Sequence, residues 1–144
     1  MNKEEFTKAN IFGLGEPNIN FQQYFIGNSY LNPLTPVRES AVFLANVTFE
    51  PKCRNNWHIH HATKGGGQIL ICTAGYGWYQ EEGKEAQSLK PGDTITIPAN
   101  VKHWHGAKKD QWFSHLAIEV PGVETSNEWL EPVKNEFYDS LKEC

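Results

Sequence analysis

The sequence predicts an all-β fold, a small antiparallel β-barrel or jelly roll that ends in a short C-terminal helical tail. Turn signals recur at short intervals through the middle of the chain, at Glu50-Pro51, Gly65-Gly66-Gly67, Gly75, Glu81 to Lys84, Lys90 to Asp93 and Pro98 to Asn100. Seven or eight β-rich stretches lie between and around them, the pattern of a sandwich or small barrel. Proline and glycine leave no room for a long helix between residues 50 and 106. At 144 residues, with 39% hydrophobic and 12% aromatic side chains, the chain reads as one domain, 1–144, able to close a core without disulfides.

The elements follow in order. Residues 1–40 form an N-terminal arm of loop-like composition, dense in Asn, Pro and Gly, with Phe21 to Tyr30 as its strand candidate. Ala41 to Phe49 alternates with a period near two and is expected to be a half-buried strand. Gln68 to Thr73, Gly77 to Gln80, Thr94 to Ile97 and Trp112 to Val120 supply further strands, so that residues 41–120 make the core. The tail, 121–144, starts after Pro121-Gly122. There Ser126 or Asn127 is placed to cap a short helical turn, and Pro132 to Leu141 is a second short helix.

Charge and composition narrow the function classes. A net charge of −4 supplies no basic field for nucleic acid or an anionic membrane. No apolar run approaches the ~20 residues of a membrane helix, and the polar start Met1-Asn2-Lys3-Glu4-Glu5 is not a secretory signal. Cys53, Cys72 and Cys144 are an odd number at wide spacing and form neither a disulfide framework nor a C-x-x-C site. A cytoplasmic location and a small-molecule partner are expected.

The histidines are unevenly placed: all six lie between His58 and His115. In His58-Ile59-His60, residues i and i+2 of a strand face the same way, so two imidazoles can converge on one metal ion and leave positions for ligands from neighbouring strands. His103 follows the turn Pro98-Ala99-Asn100, with His105 at i+2. Gln68, polar at the head of an apolar strand, offers an amide oxygen as a fourth ligand.

The spacing of these residues resembles the two motifs of the cupin superfamily, written G-x5-H-x-H-x3–4-E-x6-G and G-x5-P-x-G-x2-H-x3-N. Here five residues, Cys53 to Trp57, precede His58-x-His60, and six separate Gln68 from Gly75. Gly92 is followed by five residues, Pro98, Ala99, Asn100, two more residues and His103. Lys52 stands at the first glycine, Asn100 at a later one and Ala107 at the asparagine, and seven residues rather than three or four separate His60 from Gln68. Asn100 tolerates a left-handed backbone, so that turn is expected to survive. The longer loop, 61–67, would change access at the barrel mouth.

Further stretches, among them Thr73-Ala74-Gly75-Tyr76-Gly77-Trp78, Lys102-His103-Trp104-His105-Gly106-Ala107 and Trp129-Leu130-Glu131-Pro132-Val133, are similar to cupin-type hydroxynitrile lyases and to the cupin portions associated with carboxymuconolactone decarboxylase-like proteins. The resemblance implies one divalent transition metal per chain (Mn, Fe, Co, Ni or Zn) on His58, His60, Gln68 and His103. It also implies His115 as a general base near the metal, and a homodimer. Three imidazoles and a neutral amide would leave the ion its full +2, making it a strong Lewis acid.

The function expected is metal-assisted lyase, isomerase or decarboxylase chemistry on a small oxygen-bearing molecule. A dioxygenase and a non-catalytic binding cupin are the alternatives. His105 is either a pocket residue or a core one, and His61, of opposite parity to His58 and His60, is expected to face away. His115 is expected on a strand beside that of His103, and Trp129 to pin the tail onto the sheet.

Overall fold

The structure, a computed structural model, describes residues 1–35 and 42–142. The arm contributes a helix, α1 (Lys3–Ala9), and three short strands, β1 (Glu16–Pro17), β2 (Phe25–Ile26) and β3 (Ser29–Pro33). The core contributes β4 (Phe43–Phe49), β5 (Arg54–Asn55), β6 (His58–His61), β7 (Lys64–Gly65), β8 (Gln68–Gly75) and β9 (Gly77–Glu81). It continues with β10 (Gln87–Leu89), β11 (Thr94–Ile97), β12 (His103–Ala107) and β13 (Phe113–Glu119). The tail adds β14 (Gly122–Val123), β15 (Ser126–Trp129) and the helix α2 (Asn135–Ser140).

Most of the strands form two antiparallel sheets, as the composition and turn spacing predict, and β7 and β14 pair apart as a two-stranded ribbon. One sheet runs β1-β3-β4-β13-β8-β11; the other runs β10-β9-β12-β5-β2, with β6 joined to β12 and β15 joined to β6. Alternation along β8 sends Gln68, Leu70, Cys72 and Ala74 inward while their neighbours are half-buried. Phe49, Leu70, Ile97, Phe113 and Tyr79 belong to the core packed between the sheets. This core is apolar. Cys53 and Cys72 are buried free thiols within it, while Cys144 lies outside the described residues.

Two predictions about the arm and the tail fail. The arm is not all loop: Asn2 caps α1 by accepting from the Glu5 N–H, and Glu5 accepts the Asn2 N–H in return, a capping box. Phe6 of α1 is buried in a stack on Trp112, which anchors a helix too short to hold by itself. Ser126 and Asn127 cap no helical turn; they lie in β15, pairing with His61 and His60 of β6. The second helix of the tail forms as expected, as α2. Its Tyr138 donates to the Ala107 carbonyl (2.6 Å) and lies 4.2 Å from the Arg54 guanidinium. Gly106 permits this side of the barrel to close, since a Cβ there would lie 2.4 Å from that of Arg54.

Candidate metal centre

β6 presents His58 and His60 on one face, and its antiparallel pairing with β12 sets His58 opposite His103. The ring centroids lie 4.1 Å (His58–His103), 5.1 Å (His58–His60) and 5.2 Å (His60–His103) apart. Gln68 comes from the opposite sheet, at the head of β8, and lines the same cavity as His58 and His60. Gly67 before it is at φ +89°, and a Cβ there would lie 2.3 Å from the Ile97 carbonyl oxygen. Only glycine lets the chain turn this tightly into β8. The structure thus gathers His58, His60 and His103, with Gln68 on the wall of the cavity that His58 and His60 also line.

The hydrogen bonds of the three imidazoles share one form. Nδ1 of His58 donates to the Asn56 carbonyl (2.8 Å), that of His103 to the Val101 carbonyl (2.9 Å), and that of His60 to Asn127 Oδ1 (2.8 Å). An oxygen acceptor on Nδ1 fixes the proton there and leaves Nε2 as a lone pair. Nε2 of His60, Nε2 of His103 and Oε1 of Gln68 are all buried with no hydrogen-bond partner. A buried acceptor left unpaired costs about 1–3 kcal/mol, and several together call for an ion or water. Neutral nitrogen and amide-oxygen donors suit a divalent first-row ion.

Burial keeps His58 and His103 uncharged. Desolvation holds His58 well below the ordinary histidine value, with His103 and His60 adding repulsion. Desolvation likewise pushes His103 down to about 4. Both therefore offer lone pairs at neutral pH.

His105 also faces inward. His58, His103 and His105 each offer a ring nitrogen within 4.8 Å of the others, a group that could hold a metal ion. Its ring is engaged, however: the Asn55 amide lies 3.2 Å from His105 Nε2, and Asn55 Oδ1 accepts the His105 backbone N–H. The rings of His60 and His103 each keep a nitrogen with no such partner.

His115 does not lie on a strand beside that of His103. β13 sits between β4 and β8 in the other sheet, and His115 faces His105 across the interior with ring centroids 4.8 Å apart. Both its ring nitrogens are buried without partners, and desolvation holds it down at about 4. His61 faces outward and pairs with Glu128 at 2.7 Å.

Two neighbours of the site, Asn127 and Asn55, escaped sequence reasoning, and a third, Trp129, was expected only to pin the tail onto the sheet, which it does. Asn127 orients His60, Trp129 stacks 4.6 Å from His58 and itself stacks on Tyr24, and Asn55 holds His105. Asn127 and Trp129 belong to β15, a polar segment whose sequence carries no strand alternation. Asn55 had a usable signal, as a polar residue three positions before the H-x-H pair.

A Cupin domain description matches residues 45–119. Over 116 residues the chain is 39% identical to a Granulicella tundricola protein named (R)-mandelonitrile lyase, spanning 80% of this chain and 86% of that one. The crystal structure of a cupin-like protein from Thermotoga maritima is 39% identical, with a TM-score of 0.77 over 90% of this chain and 94% of that one. A DMSP lyase from Ruegeria pomeroyi shares the fold at 17% identity, with a TM-score of 0.60 over 90% of this chain and 60% of that one.

Proposed function

This chain belongs to the cupin family, and on that premise we propose that it is a metal-dependent lyase acting on a small oxygen-bearing organic molecule. His58, His60, Gln68 and His103 are the ligands of one divalent transition ion, and His115 is the proton carrier. The observation that carries this reading is the set of unpaired acceptors: two imidazole nitrogens and an amide oxygen, buried together beside His58. The likeness to the Granulicella tundricola (R)-mandelonitrile lyase supports the reaction class.

A bound divalent ion supplies Lewis-acid polarisation of a substrate oxygen, at full +2 charge because every ligand is neutral. The protein does the rest. Val47, Ala45, Ala117 and Phe25 exclude water around the apolar part of the substrate. His115, neutral at pH 7, accepts the hydroxyl proton of a cyanohydrin on one ring nitrogen. As the carbonyl forms, the carbon–carbon bond breaks and the cyanide takes the electron pair. The proton held by His115 then returns to cyanide, giving an aldehyde and HCN.

The test is cleavage of (R)-mandelonitrile by purified protein before and after chelation. Turnover is expected to vanish with the metal and to fall roughly 100-fold or more in His115→Phe with the metal retained. Turnover that survives complete metal removal overturns the reading.

A further inference from the structure

The space around the histidines has two compartments of opposite character. The inner one, about 190 Å³, is walled by Phe25, Leu31, Ala45, Val47, Ala117 and Trp129. An apolar cavity of about 150 Å³ accepts benzene, so this compartment fits a body of one ring or a branched alkyl group. The outer one, about 340 Å³, is a vestibule bordered by Gly67, Thr125 and residues 120–122. Phe43, His60, Glu119 and Asn127 line both and so mark the passage between them.

Glu119 stands out in that passage. Phe113, His115, Ala117 and Glu119 alternate onto one face of β13; Phe113 lies in the core, and the other three line the cavity. Cross-strand register sets Glu119 beside Gln68 on β8 and beside Phe43 on β4. Among the described residues its carboxylate has no hydrogen-bond or ion-pair partner. It is also the one Asp, Glu, Lys or Arg lining either compartment, again among the described residues. His61, at the outer rim, is already paired with Glu128.

A carboxylate or phosphate ligand must leave water to enter, and it needs a cation along the way to offset that loss. The proposed ion is the one cation such a ligand would meet; the walls themselves provide no lysine or arginine among the described residues, and a like charge stands at the passage that leads to the ion. We propose that Glu119 sets the charge selectivity of the site, disfavouring entry of anions relative to neutral hydroxy or carbonyl compounds with a single ring or small branched apolar body. This deepens the lyase reading and rests on it for the oxygen-binding end of the molecule.

Calorimetric titration with benzyl alcohol and benzoate, ligands that match in ring and differ in charge, tests it on wild type and Glu119→Gln. The substitution removes the charge at an exposed position and keeps the shape. Benzoate affinity is expected to rise about tenfold relative to benzyl alcohol in the variant, close to 1.4 kcal/mol. A relative change under about twofold overturns the proposal, as does failure of benzyl alcohol to bind either protein. The titrations use protein as purified, with metal content measured alongside. A metal-free preparation contradicts the ligand set alone, while the benzoate-to-alcohol ratio still decides the part of Glu119.

Discussion

Lys52 and Asn100 occupy positions where the resembling motifs carry glycine, and both adopt left-handed backbone, φ 74° and 70°. Their side chains respond differently. Asn100 closes two hydrogen bonds with Ala62, donating to its carbonyl (2.9 Å) and accepting its N–H (3.0 Å), which ties down the loop after His61. Among the described residues, no side-chain bond of this kind offsets the backbone cost at Lys52. Lys52→Gly is therefore expected to stabilise the protein by about 0.5–1 kcal/mol in urea unfolding. Asn100→Gly is expected to cost about 1–2 kcal/mol through the lost pair. Equal effects at the two sites would contradict this account.

His115 gives a second test at this scale. Desolvation holds it at about 4 in the folded chain, while the unfolded chain takes its proton near the ordinary 6.5. Below that value the unfolded state binds more protons, so the contribution is full above about 6.5 and is lost as pH falls through about 4. In metal-free protein the loss amounts to about 3 kcal/mol. His115→Phe packs against Phe49 and Phe113 and is expected to flatten the fall in stability between those limits, as read by urea midpoints at stepped pH. An unchanged slope would place the titrating group elsewhere.

Among the elements, β15 shapes the site most and was least legible. The core strands could be read because one face of each is buried, which imposes alternation, as along β8. The H-x-H pair and His103 could be read because residues i and i+2 of a strand share a face and because their spacing follows the cupin motifs. Ser126-Asn127-Glu128-Trp129 is exposed along most of its length, so burial writes no pattern into it, and its partner β6 lies far upstream. Its contribution is to hold two imidazoles, His60 through Asn127 and His58 through Trp129. Asn127→Ala is expected to lower metal affinity roughly 10-fold or more in chelator competition, with the fold retained. Affinity unchanged within error would show that β15 orients nothing. α1, by contrast, had a readable signal in Asn2 and Glu5 flanking the start of a helix, but seven residues are too few to stand without the Phe6–Trp112 contact.

At the scale of the molecule, the proposed ligands come from both sheets: His58, His60 and His103 from one and Gln68 from the other. An ion bound by all four would bridge the two sheets, while the apolar core packs between them without it. Metal removal should thus lower stability without unfolding the chain. With the ion in about 100-fold excess over its dissociation constant, the stabilisation is about 2.7 kcal/mol, or roughly 5–10 °C in Tm. A Tm indifferent to chelation would mean that no ion joins the sheets. The most direct measurement is elemental analysis of purified wild type and His103→Ala, with circular dichroism to verify the fold. The account predicts close to one transition-metal ion per wild-type chain and almost none in a still-folded His103→Ala. Wild-type protein that neither contains nor takes up a metal, or a variant that holds it equally well, would contradict it.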